Sequence, residues 1–223
     1  MLRTTRWTLV LRAGAGSLSA LEDLCGAYWF PVYAWFRKRG LAPEDAAEQT
    51  QEFFAGLLRR GDLGKVQRDG RRFRAWLYTA LTSHHGNVRK HDQAQRRRRI
   101  EVDDAEARFA SQVAPGLDPE QVFARQWALA TLATARDRVR ETYTRRGQSD
   151  EFAALEPTLT GGAPPYRELA ARLDRSEGAV KVAVHRLKKR FGDALRDEVS
   201  ETIDGPDEVD AELRQLLDAL AGR

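Results

Sequence analysis

Two adjacent helical patterns between residues 166 and 191 constrain the fold of this chain more than any other feature. The segment YRELAARL places Leu169 and Leu173 on one helical face, and EGAVKVAVHRLKKRF follows after a short polar turn. In the second segment, apolar residues recur at i, i+4, i+7 and i+11: Val180, Val184, Leu187 and Phe191. This spacing forms one buried stripe on a helix. Because Ser176 is also a suitable N-cap, the sequence predicts a helix-turn-helix.

The polar side of the second helix is rich in lysine and arginine. A helix-turn-helix with a basic second helix is suited to the major groove of DNA. We predict that its first residues meet base edges and that the later Lys and Arg residues meet phosphates. The candidate DNA-contacting residues are Ser176, Glu177, Ala179, Lys181, His185, Arg186, Lys188 and Lys189. A generic amphipathic surface hairpin remains the alternative.

Composition favours an all-α fold. The chain has 223 residues, enough for one large domain or two small ones, and its apolar residues are mainly Leu, Ala, Phe and Trp set among Arg and Glu. Cys25 is the only cysteine, which excludes an intrachain disulfide, and no Cys/His cluster has zinc spacing. No apolar run approaches the roughly 18 residues of a membrane span. With no signal-peptide pattern at the start, we expect a cytoplasmic protein with no metal and no cofactor.

Charge is unevenly distributed along the chain. Thirteen basic residues and three acidic ones lie between Arg59 and Arg99, whereas Glu101–Glu120 has six acidic residues and one arginine. Separated blocks of this kind indicate a nucleic-acid surface beside acidic segments. A solvated basic face is the alternative interpretation.

The first half of the chain contains three helical patterns. LEDLCGAYWFPVYAWFRKRG predicts a helix that Pro31 should bend or interrupt and that Gly40 ends. PEDAAEQTQEFFAGLLRR predicts a second helix from about Pro43, with Phe53, Phe54, Leu57 and Leu58 toward the core. A third pattern starts near Arg72, and its apolar stripe is Phe73, Trp76, Leu77, Ala80 and Leu81.

The remaining segments suggest a division of the chain. IEVDDAEARFASQVAPGLDP is interpreted as a flexible acidic linker because it contains Pro and Gly, and a short helical turn within it is left open. QVFARQWALATLATARDRVRETYTRRG predicts a long helix. We therefore expect two small helical domains joined by that linker. The predicted segments are an N-terminal segment 1–16, a first domain 17–100, a linker 101–119, a second domain 120–200 and an acidic C-terminal helix 201–223.

Together these segments resemble the extracytoplasmic-function sigma factors of bacterial RNA polymerase, within the sigma-70 family. The resemblance covers about Ser17 to Val199. LEDLCGAYWFPVYAWFRKRG, DAAEQTQEFF and FRAWLYTAL resemble region 2 of that family, and YRELAARLDRSEGAVKVAVHRLKKRF resembles region 4. The resemblance implies a protein that binds core RNA polymerase and directs promoter-specific transcription initiation, and it implies no enzymatic activity.

The resemblance also assigns roles to residues. The acidic second helix would dock on the clamp of the largest polymerase subunit through Asp45, Glu48, Gln51 and Glu52. The flap of the second subunit and promoter DNA are the other implied partners. The helix-turn-helix would contact the −35 element. The −10 element would meet Arg74, Tyr78, His84, Asn87, Arg89, Lys90, Arg96 and Arg97.

Departures from the family pattern concern both DNA-contacting regions. Thr82-Ser83 and Asn87 stand where many relatives have an Arg-Asn pair and a later Asp, and Ala179 stands where relatives often have Thr. An anti-sigma factor or a regulatory kinase acting on Thr50 is a further partner that the sequence leaves open. The alternatives are a helix-turn-helix regulator that acts without polymerase, and an RNA-binding adaptor using Arg96–Arg99. No membrane partner is expected.

Overall fold

Nine α-helices account for most of the residues that the computed structural model describes, namely 18–65, 73–88, 100–203 and 208–222. No strand occurs in these ranges, which confirms the all-α prediction. The helices are α1 (Leu18–Lys38), α2 (Pro43–Arg59), α3 (Phe73–Val88), α4 (Ile100–Gln112), α5 (Pro119–Thr144), α6 (Ser149–Leu155), α7 (Tyr166–Leu173), α8 (Glu177–Ser200) and α9 (Val209–Ala221). Short 3-10 helices follow α2 at Asp62–Lys65 and α6 at Glu156–Leu159. Among the helices described, none is both long and apolar enough to cross a membrane.

The chain divides into two compact units. The first unit contains Met1–Ala130 together with Val199–Arg223, and the second contains Thr131–Glu198. The helix-turn-helix lies in the second unit. This division differs from the one expected from sequence, because the first residues of α5 and the C-terminal helix belong to the first unit.

Aromatic side chains form the core of the first unit. The rings of Tyr28 in α1 and Trp127 in α5 are stacked, with centroids 4.2 Å apart. Phe73 of α3 lies 5.6 Å from Tyr28 and 6.0 Å from Trp127. Trp76 was predicted to lie in the apolar stripe of α3, and it is half-buried against Phe73. Burial of several aromatic rings supplies much of the apolar area that stabilises a small core.

α1 runs without interruption through Pro31, where the sequence predicted either a bend or an interruption. Every residue from Phe30 to Phe36 is buried, so this part of α1 has core on all sides. Burial of consecutive side chains offsets the backbone hydrogen bond that proline cannot donate. The predicted end of α1 is confirmed: Gly40 has φ 92° and its N–H bonds to the carbonyl of Arg37.

The segment interpreted as a linker contains a packed helix, α4. Ala105 is buried, and Glu106 accepts hydrogen bonds from Tyr33 Oη at 2.6 Å and from Arg37 Nη2 at 2.9 Å. Arg108 lies over the ring of Phe30 at 3.8 Å. The acidic composition and the Pro-Gly pair near the end of this segment indicated a linker, but the partners of Glu106 come from a helix about 70 residues earlier.

The second unit has its own apolar core, built from α5, α6, α7 and α8. The buried residues are Val139, Tyr143, Phe152, Leu155, Leu169, Ala170, Val180, Ala183, Val184 and Leu187, with Phe191 partly buried against them. The predicted stripe of α8 is therefore confirmed. Helix α6, which was not predicted, contributes Phe152 and Leu155 to this core. Within the unit, Arg138 of α5 also pairs with the buried Glu198 of α8 at 2.8 Å.

Candidate nucleic-acid interface

The turn of the helix-turn-helix has a specific backbone geometry. Asp174 ends α7 with φ 50°, in the left-handed region, and the N–H of Arg175 bonds back to the carbonyl of Ala170 at 3.0 Å. Asp is among the few residues other than Gly that adopt this conformation readily. Ser176 then accepts a hydrogen bond from the N–H of Ala179 at 3.2 Å, so it caps α8 as predicted.

All eight residues proposed for −35 contact are solvent-exposed, at the N-cap of α8 or in its first four turns. They are Ser176, Glu177, Ala179, Lys181, His185, Arg186, Lys188 and Lys189. Their exposure follows from periodicity, because the opposite side of α8 is buried in the core of the second unit. Exposed cations beside such a core can hold phosphate groups without disturbing the fold.

Two exposed apolar side chains beside these cations were not identified from the sequence. Tyr166 at the start of α7 is 39% exposed, and Lys181 Nζ lies 5.9 Å from the centre of its ring. Val182 on α8 is 49% exposed. An apolar group on a helix of this motif can contact the methyl group of thymine. The signal for Val182 was available, since it follows Lys181 on the polar side of the predicted stripe.

Arg74, a candidate for −10 contact, is engaged by the C-terminal helix. Its Nε lies 3.1 Å from Oε1 of Glu212, whose side chain is 2% exposed, and its Nη2 donates to Gln215 at 2.8 Å. The N–H of Phe73 also bonds to the carbonyl of Thr202. A guanidinium held in this way is not available to DNA while α9 stays in place. The acidic C-terminal helix was predicted, but not this contact.

Tyr78 and His84 of α3 are partly buried rather than presented to solvent. The ring of Tyr78 lies 5.5 Å from that of Phe123, its hydroxyl is 3.5 Å from Oε2 of Glu120, and burial raises its pKa. His84 makes an edge contact with Phe53, with ring centroids 5.6 Å apart. Burial lowers the pKa of His84, and the charge of Arg60 lowers it further.

The other −10 candidates lie partly or wholly outside the described residues. Asn87 lies in the last turn of α3, and its side chain is outside the described part of the structure. Arg89, Lys90, Arg96 and Arg97 lie outside the described residues altogether, as does the Arg96–Arg99 run of the RNA-binding alternative. The residues proposed for the −10 element are therefore not brought together by the described structure.

The acidic face of α2 has the expected polarity. Asp45, Gln51 and Glu52 are exposed and Glu48 is half-buried, while Phe53, Phe54 and Leu57 are buried. Glu52 pairs with Arg59 at 3.2 Å on the surface. Leu58 was expected toward the core, but it is 37% exposed. One residue of a helix turns about 100°, which carries Leu58 from the buried stripe to its edge.

Thr50 is buried, contrary to what a phosphorylation site requires. Its side chain is 0% exposed, and its hydroxyl donates to the carbonyl of Ala46 at 2.7 Å. A kinase cannot reach this hydroxyl without unfolding the first unit. The surrounding acidic residues suggested a phosphosite from sequence, but Thr50 lies on the opposite, apolar side of α2.

Neither a reactive thiol nor a metal centre is present among the described residues. Burial raises the pKa of Cys25 to about 11, so its thiol is protonated at neutral pH and is a poor nucleophile. No group of three or more His, Cys, Asp and Glu side chains with metal-binding geometry occurs in the described ranges.

Comparisons of the chain with protein-family models, with curated proteins and with solved structures give no match. The likeness to sigma factors therefore remains a resemblance carried by segments of the sequence.

Proposed function

We propose that the protein is a sigma factor that binds core RNA polymerase and directs promoter-specific transcription initiation. The observation that carries this proposal is the helix-turn-helix of α7 and α8, which has a complete core behind it and an exposed basic face. That motif alone supports DNA binding. The acidic face of α2, together with the family resemblance, extends the proposal to the polymerase.

Each unit has a separate task in this proposal. The exposed face of α8 contacts the −35 element, with Lys181 and His185 near base edges and Lys188 and Lys189 near phosphates. Asp45 and Glu52 of α2 present carboxylates to the clamp of the largest polymerase subunit. The resemblance adds the flap of the second subunit as a docking partner for the second unit.

The decisive experiment is run-off transcription with purified core polymerase and a library of candidate promoters. We expect promoter-dependent initiation only when this protein is added, together with its co-purification with core enzyme. Asp45→Lys with Glu52→Lys should abolish core binding and leave binding of promoter duplexes unchanged. Absence of both core binding and promoter-dependent initiation would exclude the sigma-factor proposal.

A regulator that acts without polymerase is the second candidate, and one observation favours it. Arg74, which a −10 contact would need, is held by Glu212 and Gln215 within the first unit. A regulator of this class requires only the α8 face. Specific binding of a duplex operator, with no association with core polymerase in a pull-down, would favour this candidate.

A further inference from the structure

A cleft of about 520 Å³ lies beside the basic face of α8, within the second unit. It is bounded by the end of α5, the start of α6 and one flank of α8. Four arginines line it: Arg146, Arg175, Arg186 and Arg190. Its volume lies within the roughly 300–1,000 Å³ range of sites that hold small ligands. Arg186 belongs both to this lining and to the exposed face of α8.

The cleft has one carboxylate, and that group is already satisfied. Glu151 accepts hydrogen bonds from Arg175 Nη1 at 2.8 Å and Arg175 Nη2 at 3.0 Å, one to each oxygen. Gln148 Nε2 lies 3.4 Å from Oε2 of the same carboxylate. A two-point pair of this kind neutralises Glu151 and fixes Arg175 in place. Glu151 therefore does not offset the charge of the other three arginines.

The remaining arginines face the cleft without a carboxylate partner among the described residues. Arg190 lies over the ring of Tyr143, with its central carbon 5.2 Å from the ring centre. This cation–π contact restrains the side chain but leaves its charge unneutralised. Arg146 and Arg186 form no ion pair within the described part of the chain. Three unneutralised guanidinium groups around one cavity favour an anionic ligand.

We propose that this cleft is a phosphate-binding site. A guanidinium offers two parallel N–H donors that match two oxygens of a phosphate group. A phosphate fits better than the carboxylate of an acidic peptide, because the exposed cation Lys189, about one helical turn from Arg186, extends the positive surface beside the cleft. A polyanion with regularly spaced charges can contact both the cleft and that surface. The proposal concerns the second unit and does not depend on the sigma-factor proposal.

Two sources of phosphate have the required chemistry. One is the phosphodiester backbone of DNA, which would then be held at the flank of α8 as well as on its exposed face. The other is a free polyphosphate group, such as that of a nucleotide. The two sources are distinguished by the probe whose binding weakens when the cleft arginines are replaced: duplex DNA for the first source, and a free polyphosphate for the second.

The test compares two double variants of the full chain that remove equal charge from the same unit. Arg146→Gln with Arg190→Gln alters the cleft and leaves every residue proposed for −35 contact in place, and Arg140→Gln with Arg145→Gln alters exposed arginines near the end of α5 that do not line it. Binding of a labelled random-sequence duplex is measured by anisotropy between about 50 and 200 mM salt. Binding of inorganic pyrophosphate is measured by calorimetry. Neither assay contains polymerase, so the outcome is independent of the transcription test.

A backbone site predicts that only the cleft variant lowers the slope of log affinity against log salt, by about 0.9 for each arginine lost. A free-phosphate site predicts that the cleft variant binds pyrophosphate at least about tenfold more weakly than the control variant. Equal behaviour of the two variants with both probes would overturn the proposal. Selective loss of binding to a poly-glutamate peptide, with both phosphate probes unaffected, would overturn it in favour of an acidic protein partner.

Loss of folding would confuse this comparison, so thermal melting of each variant is measured first. If the cleft double variant melts early, Arg146→Gln is compared with Arg145→Gln in the same two assays. Because Arg146 and Arg145 are both exposed, we expect neither single variant to lose stability. The single cleft variant should show about half of the change in salt slope.

Discussion

The two helices assigned to DNA contact differ in what their polar side chains do. On α8 the proposed contact residues are exposed to solvent, and apart from the N-cap Ser176 their loss should cost little stability. On α3 the proposed contact residues that the structure describes are tied into the first unit: Arg74 to the C-terminal helix, Tyr78 to α5 and His84 to α2. The face of α8 is thus available for ligand binding as it stands, whereas these side chains of α3 stabilise the fold.

The largest expected effect is on Arg74. Replacing Arg74 with Ala removes the guanidinium that faces the buried carboxylate of Glu212, and breaking a buried pair from one side costs about 3 kcal/mol. Urea unfolding of the variant should show this loss. Arg74→Ala combined with Glu212→Ala should recover part of it, because the carboxylate is then gone too. If Arg74→Ala instead lost DNA binding with unchanged stability, Arg74 would be a DNA-contacting residue like those on the exposed face of α8.

Lys181 should behave in the opposite way. Lys181→Ala removes a cation from the exposed face of α8, so we expect duplex binding to weaken about tenfold while the free energy of unfolding stays within about 0.5 kcal/mol. Anisotropy and urea unfolding measure the two quantities. Arg172→Ala, at an exposed position on α7, is the matched control for loss of one charge. Equal weakening in both variants would mean that only net charge matters.

The contrast between α8 and α3 also explains which predictions from sequence were correct. The stripe Val180, Val184 and Leu187 gives the exposed face of α8 directly, because periodicity alone decides which side is buried. The pairing of Arg74 with Glu212 joins residues 138 positions apart, and no local pattern encodes such a pair. For the same reason, the sequence did not predict the packing of Glu106 in the segment interpreted as a linker. It also did not predict the arginine cleft, because the lining comes from three helices and adjacent turns.

Ser176, the N-cap of α8, is a proposed contact residue whose side chain also stabilises that helix. Ser176→Ala removes the hydroxyl that accepts from the N–H of Ala179, and loss of an N-cap costs about 1 kcal/mol. Ser176→Asp keeps an acceptor at this position and should retain the stability, while its added charge weakens duplex binding. The two substitutions therefore separate capping from DNA contact. Equal melting temperatures for Ser176→Ala and the parent chain would contradict the capping role.

The smallest expected effect is the pH dependence contributed by His84. Burial lowers the pKa of this imidazole in the folded chain, so the unfolded chain binds the proton more tightly. Stability is therefore lost as the pH falls through the unfolded pKa of about 6.5, by at most about 0.7 kcal/mol between about pH 7 and pH 6. Urea unfolding at the two pH values measures this loss.

His84→Gln should abolish this loss of stability between about pH 7 and pH 6. His185→Gln changes an exposed side chain of α8 and should leave the same loss of stability unchanged. The sign of the change in stability on acidification distinguishes a buried His84 from a His84 that contacts DNA. A histidine presented to solvent for phosphate contact would give no loss of stability on acidification, and it would bind duplex more tightly at the lower pH because the imidazolium attracts phosphate. Tighter duplex binding at pH 6 that disappears in His84→Gln, with unchanged stability, would therefore assign His84 to the DNA-contacting surface and place α3 alongside α8.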